Sequence, residues 1–167
     1  MAARLNDTSY AVLGLISLIG PATPYDLKRA AAESVGYFWT LHQAQLYSEP
    51  RRLAAAGYVT ERRERSGRRR RTYAITRAGS AALERWVAEP TDDFTELRDP
   101  ALLRLFMGAP SGPLARVQAD VHRRRLEQYE QLAAGEMAAG ARRALDAGLR
   151  HEREWVGFWE ELAEHGR

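Results

Sequence analysis

The chain has 167 residues, 45% hydrophobic and 28% charged, and contains no cysteine. That length suits one domain or two small ones, and a chain without cysteine forms no disulfide, thiol nucleophile or thiolate metal site. The net charge of +3 hides an asymmetry: residues 1–80 carry 13 Lys/Arg against 6 Asp/Glu and the remainder 12 against 16, so a half at +7 precedes one at −4. A basic half of this kind points to nucleic acid, and the acidic half to a separate task. The most apolar run, Ala11 to Gly20, is about half the ~18–20 residues that cross a bilayer. With Asp7 before it and Pro21 after it, the run does not read as a secretory signal, and a cytoplasmic location is expected.

Asp7, Thr8 and Ser9 offer cap chemistry ahead of Val12, Leu13, Leu15, Ile16 and Ile19, which predicts an apolar first helix stopped by Gly20-Pro21. Thr23 as N-cap with Pro24 at the first helical position opens a second helix to about Ser34, with Tyr25, Leu27 and the alanines inward. Trp39 reads as core packing. A third helix starts at Thr40 or His42 and runs to about Ala56, facing Leu46, Leu53 and Ala56 inward and ending at Gly57. Three short helices with tight connections make the helix-turn-helix pattern. The period then changes: Tyr58-Val59-Thr60 begins a strand, Ser66-Gly67 marks a turn, and Arg71-Thr72-Tyr73-Ala74-Ile75 returns. Thr76 caps a helix reaching Val87 or Ala88, with Leu83 and Trp86 as its apolar positions.

Pro90-Thr91-Asp92-Asp93 reads as the boundary between modules, placing a winged helix-turn-helix domain at 1–89 and an all-helical domain at 90–167. In the second, Asp99-Pro100 opens a short helix over Ala101–Met107, and Gly108 to Pro113 is a loop. Leu114 through Met137 mark a long helix, and Leu145, Leu149, Val156, Trp159 and Ala163 a final one, with a break expected near Gly148. The fold class is mainly α with a two-stranded wing.

Several of these segments, in order, resemble the PadR family of bacterial transcriptional regulators. They are Ala11-Val12-Leu13-Gly14-Leu15-Ile16, Tyr25-Asp26-Leu27-Lys28, Phe38-Trp39, Gln45-Leu46-Tyr47, Arg51-Arg52-Leu53, Gly57-Tyr58-Val59, Arg71 through Thr76, and Leu97-Arg98-Asp99-Pro100-Ala101-Leu102-Leu103. The resemblance covers about Tyr10 to Gly108 and implies that the first helix joins the tail in a dimer interface. Pro50 departs from the family pattern; it lacks the N–H that would bond Leu46, so a kink after Tyr47 is expected.

Seven arginines (Arg62, Arg63, Arg65, Arg68, Arg69, Arg70 and Arg71) crowd ten residues of the wing. A solvated charge run is the plain alternative, but like charges so dense repel and do not help folding, whereas guanidinium suits phosphate and minor groove. In the third helix, Gln43 and Gln45 suit adenine edges, and Thr40 and His42 suit phosphate or guanine. Arg51 and Arg52 are phosphate candidates, and the resemblance places Tyr47 near the DNA backbone. Trp155, Phe158 and Trp159 read as a packed dimer seam; the resemblance adds an aromatic-lined cavity for planar small molecules. The four histidines show no metal or catalytic spacing, and neither a phosphate-cradling glycine loop nor G-x-S-x-G is present. The expectation is a non-enzymatic regulator without cofactor or metal: a homodimeric repressor on an inverted-repeat operator in double-stranded DNA, released by a small aromatic effector. A winged module that binds a protein partner, or structured RNA, is the alternative.

Overall fold

A computed structural model describes residues 4–64 and 70–165. The chain divides into two compact units between Asp93 and Phe94. The first unit opens with α1 (Asp7–Ile19), α2 (Pro24–Ala32), a 3-10 turn (Val35–Tyr37) and α3 (Gln43–Ala55). β1 (Val59–Arg63), β2 (Arg71–Ile75) and α4 (Arg77–Ala88) follow. The second unit holds α5 (Pro100–Phe106), α6 (Ser111–Ala133) and α7 (Ala139–His165). The mainly helical fold with a two-stranded wing is the one expected.

Local chemistry sets most boundaries. Asn6, one residue ahead of the expected caps, starts α1 through a reciprocal pair with Ser9, each side chain accepting the other's backbone N–H at 3.0 Å. Thr23 and Asp26 form the same device at α2. The side chains of Thr76 and Asp99 accept from the first turns of α4 and α5. α6 begins inside the expected loop, because Pro113 sits where a first-turn N–H has no helical partner to lose. α3 continues from Gln43 to Ala55 with Pro50 buried inside it, so the expected kink does not end the helix.

The core of the first unit is Val12, Leu13, Leu15, Ile16, Ala22, Leu27, Ala31, Leu46, Leu53, Val59 and Tyr73. β1 and β2 pair antiparallel with Val59 opposite Ile75, Glu61 opposite Tyr73 and Arg63 opposite Arg71. A bridge between Ala22 and Tyr73 ties the wing to the start of α2. Gly79 permits the wing's base to seat on α4, since a Cβ there would fall on the Tyr58 carbonyl oxygen. Three aromatic expectations change. Tyr25, in the first turn of α2, is 67% exposed, and Trp39, in the segment between the 3-10 turn and α3, is 39% exposed. Trp86 stays partly exposed and stacks on Tyr10 at 4.8 Å.

In the second unit, α6 and α7 run antiparallel and pack closely, and Ala101 of α5 joins Ala115, Ala119 and Trp159 in their core. The break expected near Gly148 is absent: α7 is continuous over 27 residues. This glycine serves contact, since a Cβ there would lie 2.8 Å from the Tyr129 ring. Among the described residues no helix is long and apolar enough to cross a membrane.

Candidate nucleic-acid interface

α3 has two faces. Leu46, Glu49, Pro50 and Leu53 are buried, while Gln43, Ala44, Tyr47, Ser48 and Arg51 are exposed. Gln43, Tyr47 and Arg51 recur every four residues and so form one outward stripe. Thr40 and His42 are exposed just ahead of it. Gln45 folds back, its Oε1 accepting the His42 N–H at 2.9 Å, so it caps the helix that presents Gln43.

Three elements then converge. Thr23, Pro24 and Tyr25 at the start of α2, Tyr47 and Arg51 of α3, and Arg70, Arg71 and Tyr73 of the wing line one open recess of ≈ 310 Å³. Guanidinium groups beside phenol hydroxyls are the donors that phosphodiester oxygens take. The positive end of the α2 dipole adds to this at the rim. Asp26 stands nearby but is committed: the Thr23 backbone N–H and then its hydroxyl hold that carboxyl below its ordinary value, with Arg29 and Arg70 contributing charge. The wing alternates, so Glu61, Arg63, Arg71 and Tyr73 share the face of buried Val59, while Arg62 lies on the other. Arg62, Arg63 and Arg70 are exposed. Arg65, Arg68 and Arg69 lie outside the described residues.

Arg52 turns inward instead. Its guanidinium donates to both Glu49 oxygens (3.0 and 2.6 Å), to Ser9 Oγ at 2.6 Å and to the Arg4 carbonyl at 3.2 Å. It therefore pins α3 to the start of α1, and its guanidinium is engaged within the protein. Burial alone pushes the Glu49 carboxyl up, but hydrogen bonds and charge from Arg52, with the Ser9 hydroxyl beside it, hold it below its ordinary value. A depressed folded value means stability that is present at neutral pH and lost as pH falls through the carboxylate range. Arg52→Ala should cost about 1–3 kcal/mol by leaving Glu49 unpaired and should blunt that acid-side loss in melts from pH 7 to 3. The salt slope of DNA binding should not change; a slope shallower by about 1 would make Arg52 a phosphate contact after all.

Sequence reading missed Thr23, Tyr25, Tyr73 and Glu61 as members of this neighbourhood. Tyr25 carries the usual signature of a core aromatic and is 67% exposed, whereas Tyr73 is a core aromatic whose hydroxyl end meets Glu61; only the packing of three elements shows either.

The tail aromatics separate into different roles. Trp159 is fully buried, stacked on Trp155 at 6.1 Å and edge-on to Phe158 at 4.9 Å. It is core, so its face is not open to a ligand. Trp155 is half-buried and Phe158 is 40% exposed. His122 stacks on Trp155 at 5.8 Å and holds Glu152 at 2.6 Å, closing the seam between α6 and α7. Among the described residues no three acidic, histidine or cysteine side chains gather as a metal site.

Residues 12–85 match the Transcriptional regulator PadR-like family. The Negative transcriptional regulator PadR of Bacillus subtilis (strain 168) is 27% identical over 99 residues, 58% of this chain. That match spans 54% of the relative, about half its length. The crystal structure of Bacillus subtilis PadR in complex with operator DNA is similar with a TM-score of 0.84 at 21% identity, over 97% of this chain and 100% of that one. The crystal structure of Bacillus subtilis PadR in complex with p-coumaric acid is similar with a TM-score of 0.74 at 23% identity, over 94% and 96%. At such identities the shared property is the fold.

Proposed function

We propose that the chain, whose residues 12–85 match the Transcriptional regulator PadR-like family, is a homodimeric repressor that binds an inverted-repeat operator in double-stranded DNA. The N-terminal end of α3 enters the major groove, where Gln43 reads a base edge and Thr40 and His42 flank it. Tyr47, Arg51, Arg70 and Arg71 take backbone phosphates, and the wing arginines supply general affinity. The convergence of α2, α3 and the wing on one arginine- and tyrosine-lined recess carries this reading.

Dimerisation is supported by apolar surface on the second unit. Leu103, Phe106 and Met107 of and just after α5, and Val117 and Val121 of α6, are 42–84% exposed. Two half-sites about one helical turn apart multiply the few contacts one module can make. Replacing Val117 and Val121 with Glu should convert a dimer to a monomer in sedimentation and weaken operator binding. A double variant that stays dimeric would place the interface elsewhere.

The relative solved with p-coumaric acid supports a planar aromatic effector here as well, with the partly open rings of Trp155 and Phe158 as its contacts. Release of DNA then requires that the effector prefer the non-binding arrangement of the dimer. Titration against a palindromic and a scrambled duplex tests the whole reading: equal, weak affinities would favour a protein- or RNA-binding module.

A further inference from the structure

One carboxylate stands beside the recess. Glu61 of β1 lies opposite Tyr73 and diagonal to Arg71 on the wing face that turns inward. Its carboxylate holds Arg71 at 3.1 Å and accepts the Tyr73 hydroxyl at 3.1 Å. Both partners line the recess, together with Arg51 and Arg70. Glu61 is only 27% exposed at its side chain and Arg71 32%, so water screens this pair less than a surface pair. Burial first, then the Glu61 carboxylate, raises the Tyr73 hydroxyl above its ordinary value, while Arg51 and Arg71 act against that rise. The phenol proton is thus retained and directed to Glu61, and four groups share one neighbourhood. A carboxylate and a phosphodiester are both anions that accept from guanidinium, so they compete for Arg71, while the buried Tyr73 hydroxyl holds the carboxylate in place.

Resting on the DNA-binding reading above, we propose that Glu61 is a built-in competitor for DNA phosphate: anchored by the hydroxyl of the buried Tyr73, it occupies Arg71 in the free protein and must give up that arginine when the backbone docks. The competition is settled at the backbone, which carries no sequence information. It therefore lowers affinity for operator and unrelated duplex by the same factor and leaves their ratio unchanged. Its consequence is release: a wing as arginine-rich as this one is kept from holding DNA too long.

The test is the full-length Glu61→Gln protein, with Glu61→Thr as a second, strand-compatible variant, measured by anisotropy on a palindromic and a scrambled duplex. Thermal melts confirm that each variant is folded. Loss of the charge should tighten both duplexes by about 3- to 10-fold at 0.15 M salt, with the ratio between them constant. In an Arg71→Ala background the gain should vanish, because Glu61 acts through that arginine. Arg71→Ala alone should weaken binding less than Arg70→Ala, since part of what Arg71 gives to DNA it takes from Glu61; this comparison decides the matter should both Glu61 variants unfold. Unchanged or weaker binding by folded Glu61→Gln, tightening that persists without Arg71, or an Arg71→Ala loss as large as that of Arg70→Ala would each overturn the proposal. A native protein that binds neither duplex would instead overturn the DNA-binding reading beneath it.

Discussion

Trp159→Ala should remove about 3–5 kcal/mol from the second unit and leave the melting of the winged unit close to native. The indole is completely buried among Ala101, Ala115 and Ala119. Trp155 and Phe158 pack on the same ring and would lose that contact, so a cavity term adds to the lost transfer energy. The indole N–H has no hydrogen-bond partner among the described residues, which itself costs free energy. Trp159→Phe, which deletes that orphan donor while keeping a ring, should therefore cost far less. Calorimetry on the full chain distinguishes these outcomes: two similar, small losses would mean that the ring is not a keystone of the α6–α7 seam. For the same reason Trp159 is the wrong place to test an effector. Trp155→Phe is the better probe, and should abolish any change in tryptophan emission on titration with planar aromatic acids while the protein still binds DNA.

The second large effect concerns the wing. Replacing Arg68, Arg69 and Arg70 together with Ala should weaken binding to every duplex alike and make the salt dependence shallower by about 0.9 for each phosphate no longer neutralised. Gln43→Ala should behave in the opposite way, costing about 1–3 kcal/mol on the operator and little on scrambled DNA. The difference follows from chemistry: Gln43 stands on the exposed first turn of α3 with an amide that can read a base edge, whereas the ribbon segment carries charge and no such amide. If the triple variant lost only operator binding, the two roles would be exchanged.

Features that depend on neighbours along the chain were legible without the fold. Thr23-Pro24, Thr76 and Asp99-Pro100 announced helix starts because a cap is a bond between residues two or three apart. The change from helical to alternating period announced the wing, and the clustered arginines announced its charge. Tertiary structure decided everything that depends on which elements meet. Arg51 and Arg52 are adjacent arginines on one helix, yet one lines a recess with the wing while the other is consumed by Glu49 and Ser9. Gly148 looked like a break and is a contact, because Tyr129 comes to it from another helix. Tyr25 and Trp159 are both aromatics at helical spacing, but one is 67% exposed and the other fully buried. Burial is a property of the partner surface as much as of the residue, and no local pattern contains the partner.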